Sequence, residues 1–342
     1  MQLRLYTFEL PLRHTFTISR ESLDVQPTLI VELEEDGLRG YGEATTNPYY
    51  GATLENMMAA LESARKEIEA YRLDDPAEFW QALQPQLGEH PFAQCALDQA
   101  AHDLWGKMRG APVWKLWGLS IDNLPPTNYT IGIDTIETMV AKMQEFPNWA
   151  VYKIKLGTDH DLEIVRTLRQ HTDAVFRVDA NCGWTAEETL DNAQAMRDLG
   201  VEFIEQPLPA DRWDDMRRVY SESVLPIIAD ESCVVEGDVE RCAGVFHGVN
   251  IKLVKCGGMT PARRMIARAK ELGLRTMVGC MTESTVGVSA IAQLLPLLDY
   301  VDMDGALLLA KDIATGVTIE QGYCRYPQEN GNGVQLLPDA LR

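Results

Sequence analysis

The sequence is short of positive charge, of paired cysteine spacings and of long apolar runs, and each shortage closes off a class of function. Fifty-one acidic side chains face 31 basic ones, a formal net charge of -20, and no Lys/Arg run interrupts that balance. Such a chain repels a polyanion, so nucleic acid is not expected as a partner. No apolar stretch is long enough to span a bilayer, and the opening MQLRLYTFELPLRHTFTI lacks the basic segment, the unbroken apolar stretch and the small-residue cleavage site of a signal peptide. A soluble, cytoplasmic protein with no membrane partner is expected. Seven cysteines, an odd number with no CxxC pair, fit a reducing compartment better than a disulfide framework or a zinc site.

What is present suits two unequal domains, since 342 residues that are 46% hydrophobic can bury one large core and a smaller one. Apolar and polar residues first alternate, at Leu3 and Leu5 and again at Leu29, Val31 and Leu33, with a turn signal at Glu35-Asp36-Gly37. This is the pattern of an antiparallel sheet. Helical spacing follows over 53–72 (Met57, Leu61, Ala64, Ile68) and 91–110 (Cys95, Ala96, Ala100, Leu104). After the loop Asp122-Asn123-Leu124-Pro125-Pro126, short β-prone runs each followed by a helical segment predict parallel βαβ units and a domain boundary near 122. There are eight such runs: 128–133, 151–156, 175–178, 201–204, 226–229, 249–253, 275–278 and 300–303. Their starts are roughly 22 to 27 residues apart, close to a barrel of about 200 to 250 residues divided by eight. The rival, an open doubly wound sheet, would carry a Gly-x-Gly-x-x-Gly after its first strand, and the loop after Ile133 has none.

Charges at the ends of parallel strands are costly and call for a reason. Here they recur as Lys153-Ile154-Lys155, Asp179-Ala180-Asn181, Glu205-Gln206-Pro207, Asp230-Glu231-Ser232, Asn250-Ile251-Lys252 and Asp302-Met303-Asp304. All fall at carboxyl ends, where a barrel builds its active site. Asp179, Glu205 and Asp230, spaced by 26 and then 25 residues, should reach one height on neighbouring strands. Three clustered carboxylates call for a cation or raised pKa values, and hard oxygen donors with open positions suit Mg²⁺. The alternative is three unrelated helix caps or loop acids. Lys153 and Lys155 share one strand face, and Lys252 approaches from across the barrel. They are either ion-pair partners of the acids or, with a neighbouring cation disfavouring the ammonium form, bases. In the second case, a Mg²⁺-bound carboxylate could stabilise the enediolate formed when an α-proton leaves, and two lysines on opposite faces could invert the stereocentre.

Together these motifs resemble the muconate-lactonizing subgroup of the enolase superfamily, over essentially the whole chain. The resemblance implies an α/β fold, a modified (β/α)7β TIM-type barrel over 123–319, under an α+β capping domain of residues 1–122 completed by about 320–342. It implies metal ligation by Asp179, Glu205 and Asp230, with Lys155 and Lys252 as the acid/base pair and Lys153 beside the substrate. The subgroup includes cycloisomerases, o-succinylbenzoate synthases, N-acylamino acid racemases and dipeptide epimerases. Asp302-x-Asp304 resembles the last, in which such a pair binds the substrate's α-ammonium, a group the other substrates lack. The expected partner is a small dipeptide, such as Ala-Glu, epimerised beside its C-terminal carboxylate. The alternatives are an N-acylamino acid racemase, an o-succinylbenzoate synthase or a non-catalytic carboxylate-binding barrel. Side-chain choice should come from cap loops at 17–26 and 45–52, where Arg20 resembles an arginine that pairs with a substrate glutamate. Tyr49 and Tyr50 are candidates to line the same pocket. Composition leaves the oligomeric state open, a homo-oligomer included.

Overall fold

The structure, a computed structural model, describes residues 1–340. The chain opens with a three-stranded antiparallel sheet of β1 (Gln2–Thr17), β2 (Ser22–Glu35) and β3 (Leu38–Thr45). Leu3 faces Leu33 and Leu5 faces Val31, as the alternation predicts. The β2–β3 turn places Asp36 and Gly37 at positive φ, 53° and 80°, the geometry that two-residue hairpins favour. Successive β2 side chains point to opposite faces. Leu29, Val31 and Leu33 therefore join the main core, while Ile30 joins a second cluster with Leu10, Val286, Ile313 and Val334.

Four helices follow: α1 (Leu54–Ser63), α2 (Arg65–Ala70), α3 (Pro76–Leu87) and α4 (Pro91–Arg109). The single helix expected over 53–72 is two, broken at Ala64, and α3 falls between the two helical stretches expected, where no element was expected. Pro76 occupies the first turn, where its missing N–H costs nothing. The centre of the cap is α4. Its Ala96 and Ala100 carbonyls approach β3 so closely that a Cβ at Gly42 or Gly40 would lie 2.0 or 2.2 Å from them.

A short α5 (Val113–Leu116) leads to eight parallel strands: β4 (Tyr129–Ile131), β5 (Val151–Lys155), β6 (Val175–Asp179), β7 (Val201–Glu205), β8 (Ile227–Ala229), β9 (Gly248–Ile251), β10 (Arg275–Gly279) and β11 (Tyr300–Asp302). They pair in chain order, and a parallel bridge from Thr127 to Val301 joins the last to the first. The intervening helices are α6 (Ile136–Glu145), α7 (Asp161–Arg169), α8 (Ala186–Asp198), α9 (Trp213–Glu222), α10 (Asp238–Cys242), the pair α11 (Leu253–Cys256) and α12 (Met259–Glu271), and α13 (Thr285–Ala292). A 3₁₀ turn at Gly305–Leu308 follows β11, which makes the barrel (β/α)7β.

Two buried acids of the cap hold it over the carboxyl-terminal mouth. Asp98 of α4 accepts from the backbone N–H and hydroxyl of Thr260 at the start of α12. Glu43 of β3 accepts from Ser284 N, Ser284 Oγ and Gly287 N at the start of α13. Helix N-termini present unpaired N–H groups and partial positive charge, so both acids fall where a carboxylate is favourable. Beyond β12 (Ala314–Thr315) and the β13–β14 hairpin (Thr318–Glu320, Tyr323–Arg325), the chain returns to the cap just before β15 (Gln335–Leu336). Asn332 N donates to Asp103, and Val334 O accepts from Lys107. The last two residues of the segment expected to complete the cap lie outside the described residues.

Candidate active site

Strand register brings the expected acids together. Lys155 pairs with Asp179, and Asp179 with Glu205, at one level across β5, β6 and β7. Glu205 pairs with Ile228, so Asp230 stands two residues further along its strand than equal height would require. Its carboxylate still reaches the group: ligand oxygens of Asp179, Glu205 and Asp230 lie within 4.8 Å of one another, all buried.

The three lysines distribute around this triangle. Lys155 Nζ is 2.7 Å from Asp179 Oδ2, and Lys252 Nζ is 2.9 Å from Asp230 Oδ2. Because β5 and β9 are four strands apart in a ring of eight, the two amines enter from opposite walls. Lys153 Nζ lies between the triangle and β11, 3.1 Å from Asp179, 2.8 Å from Glu205 and 2.8 Å from Asp302. A fourth amine, Lys255 on α11, was not singled out from the sequence; it donates to Asp230 Oδ1 at 2.6 Å and to Asp230 O at 2.5 Å. Its position one helical turn after Lys252 was the available signal.

Electrostatics follow from this placement. Burial opposes ionisation of Asp179, but Lys155 and Lys153 hold its carboxyl below the ordinary range. Asp230 is likewise held low against burial by Lys252 and Lys255. Glu205 is pushed up to about 7 by burial and by Asp179. Burial would weaken the Lys153 ammonium, yet Asp302, Glu205 and Asp179 raise its pKa well above the ordinary value. Lys252 is raised too, with burial opposed by Asp230. At Lys153 the balance is therefore opposite to the one expected from a neighbouring cation, because three carboxylates outweigh one adjacent lysine.

The donor set fits Mg²⁺. Three carboxylates offer hard oxygens, and Glu205 Oε2 is buried without a hydrogen bond of good geometry despite its proximity to Lys153. Asn250 Nδ2 orients the other oxygen, Oε1, at 2.8 Å. Gln206 ties β7 to β8 by accepting from Asp230 N and Ser232 N.

Asp302 and Asp304 stand beside the triangle on the far side of Lys153. Asp302 accepts from Asn128 Nδ2 at 2.8 Å and from Lys153, and Lys153 holds its carboxyl low against burial. Asp304 accepts from Thr130 N, and burial with the Asp302 charge pushes its pKa well above the ordinary value. Asn128 and Thr130 belong to the first parallel run, and no charge there flagged them.

The cap completes the cleft differently from expectation. The early loop is only the four residues 18–21, because β1 and β2 continue as a hairpin to Thr17–Ser22 past a register shift between Pro11 and Phe16. That tip overhangs the mouth: Ser19 Oγ and Arg20 Nη1 both donate to Asn181 O. Arg20 also pairs with Glu231 Oε1 at 2.7 Å and stacks 4.4 Å over the Tyr49 ring. Arg20 and Tyr50 line the cleft together with Lys153, Lys155, Lys252 and Asp304. Tyr49 packs edge-on to Tyr50 and is half exposed.

A capped barrel with an acid triangle between opposed lysines defines a class, and comparison with known proteins agrees. Residues 2–118 match the mandelate racemase / muconate lactonizing enzyme N-terminal domain, and residues 135–340 match the enolase C-terminal domain-like family. The chain belongs to the enolase superfamily, in its mandelate racemase / muconate lactonizing enzyme branch. It is 59% identical, over 98% of its length and all of the relative, to an L-Ala-D/L-amino acid epimerase of Flavobacterium johnsoniae. It is 40% identical to an L-Ala-D/L-Glu epimerase of Bacteroides thetaiotaomicron over 98% of this chain and 88% of that one. A dipeptide epimerase from Methylococcus capsulatus, solved with Mg and L-Arg-D-Lys, superimposes with a TM-score of 0.89 at 35% identity, covering 97% of this chain and 98% of the other.

Proposed function

We propose that this protein epimerises dipeptides bearing a small N-terminal residue by moving the α-proton of the C-terminal residue. The observation that carries the reading is the opposition of Lys155 and Lys252 across the carboxylate triangle. Lys155 Nζ would take the α-proton on one side, and Lys252 Nζ would deliver one on the other, with the roles reversed for the other epimer. Asp179, Glu205 and Asp230 would hold Mg²⁺, which when bound supplies Lewis-acid stabilisation of the charge that develops on the substrate carboxylate. Lys153, fixed by Asp302 and Glu205, keeps positive charge beside that carboxylate. Asp302 and Asp304 would receive the substrate's ammonium, which is a donor only, and Asp304 would ionise as it binds. Arg20 would border the second residue's side chain.

The same reading divides the chain near residue 122. What supports it is the absence of helix or strand over 117–128 among the described residues and the return of Asn332 and Val334 to the cap helix α4. A cytoplasmic setting draws its support from seven cysteines that are all free thiols. No helix among the described residues is long and apolar enough to cross a membrane.

The test is incubation of L-Ala-X dipeptides with the protein and Mg²⁺ in heavy water, read by mass. A one-dalton gain at the second residue, with appearance of the other epimer, is the expected result. A panel in which no dipeptide exchanges would overturn the reading.

A further inference from the structure

The cap lines the cleft with the apolar Phe16, Ile18, Leu23 and Tyr50, the polar Gln26 and Asn47 and the acid Glu21, and Arg20 is the one cation it contributes. One end of that guanidinium is already engaged. Nη1 bridges Glu231 Oε1 and Asn181 O, at 2.7 and 3.1 Å, while Tyr49 covers the guanidinium face. Glu231 in turn depends on Arg20: its side chain is 1% exposed and it follows Asp230, in a region already rich in carboxylates. Its second oxygen, Oε2, is buried and receives no hydrogen bond. Withdrawing Arg20 toward a substrate carboxylate would leave Glu231 buried with no counter-charge of its own, which is the expensive way to break a buried pair. A carboxylate entering beside Arg20 would also meet Glu231 as a like charge.

We infer that Arg20 and Glu231 act as a built-in ion pair that leaves no free cation on the cap side of the second-residue pocket, so that the protein selects dipeptides whose C-terminal residue is uncharged over those that end in an acidic one. This inference rests on the dipeptide reading above and names its substrate class. It gives Arg20 the task of cancelling Glu231 instead of the expected task of binding a substrate glutamate. Specificity of this kind comes from excluding the wrong charge as much as from contacts to the right side chain.

The experiment compares isosteric substrates, L-Ala-L-Gln and L-Ala-L-Glu, by kcat/KM for α-deuterium exchange with Mg²⁺, and adds L-Ala-L-Lys. The wild-type protein is expected to favour Ala-Gln over Ala-Glu at least tenfold. Glu231→Gln, which frees Arg20, should move that ratio at least tenfold toward Ala-Glu, and a ratio is read because the variant can also lower both rates. Arg20→Gln, which bares Glu231, should raise Ala-Lys at least tenfold relative to Ala-Gln. Wild-type turnover of Ala-Glu equal to or above Ala-Gln overturns the inference, as does a pair of variants that leaves both ratios unmoved. Exchange with no dipeptide at all would instead strike the underlying reading.

Discussion

The barrel interior holds charge at two levels, and the two are handled in opposite ways. In the lower layer Arg177 is 3% exposed, yet nothing about it is left over: Nε donates to Glu202 at 2.9 Å, Nη1 donates to Val301 O at 3.0 Å, and the Phe203 and Tyr300 rings flank its guanidinium. Around it Phe203, Ile228 and Met277 make a dry plug. One pleat repeat higher, Asp179, Glu205 and Asp230 crowd together, and buried oxygens of Glu205, Glu231, Asn128, Asn181 and Asn250 lack hydrogen-bond partners. The Arg177 charge, which serves the fold, is satisfied on both the nitrogens that donate. A cluster with oxygens to spare suits something that arrives, which is the role proposed for the mouth, and the plug is its foundation.

Substitutions should separate these layers, beginning at the mouth. Lys155→Ala and Lys252→Ala should each cut epimerisation about 10³-fold, within the range of about 10² to 10⁴ that general acid/base groups supply. Each should keep α-deuterium exchange for only one substrate epimer, and equal residual exchange from both would deny the opposed-wall assignment. Next is Asp304→Ala. Loss of a charged hydrogen bond worth about 1.5 to 3 kcal/mol should lower dipeptide kcat/KM about 100-fold. If Asp304→Ala turns over dipeptides like wild type, the ammonium is bound elsewhere.

The plug should respond in stability instead. Arg177→Met removes the hydrogen bonds to Glu202 and Val301 O and should cost about 2 kcal/mol in urea unfolding, with kcat kept within about a factor of three. A variant of full stability and lost turnover would erase the distinction between the layers. A pH dependence of stability belongs to Glu283 on the loop after β10. Burial and the neighbouring Glu43 push its pKa up to about 8, against an ordinary glutamate value of about 4.3. Between those values the folded state holds a proton that the unfolded chain releases, so stability from this group is full at the acid end and is lost as pH rises through about 8. Glu283→Gln should flatten that decline in unfolding free energy, measured from pH 5 to 9, and an unchanged slope would assign it to another group.

Much of this was legible before any coordinates. Parallel strands covered on both faces write themselves as short apolar runs, so the eight strands and the charges closing them could be counted along the chain. The long α4 announced itself by its spacing, while α3 did not, since prolines at 76 and 85 suggest breakage and only packing against α4 shows that Phe79 and Leu83 belong to a helix. The supporting residues were harder. Asn128 and Thr130 carry no distinctive spacing and Lys255 only its place one turn after Lys252, and their partners Asp302, Asp304 and Asp230 lie 25 to 174 residues away.

By itself the sequence determined the type of barrel, the acids and amines available to it, and the strands on which they ride, because local periodicity and strand ends are properties of neighbouring residues. Only the tertiary structure decided that Asp230 sits two residues beyond equal height, that carboxylates outweigh the neighbouring lysine at Lys153, and that Arg20 is engaged by Glu231. Those outcomes depend on distances between side chains far apart in the chain, and charge interactions in a buried cleft are set by such distances and not by order along the backbone.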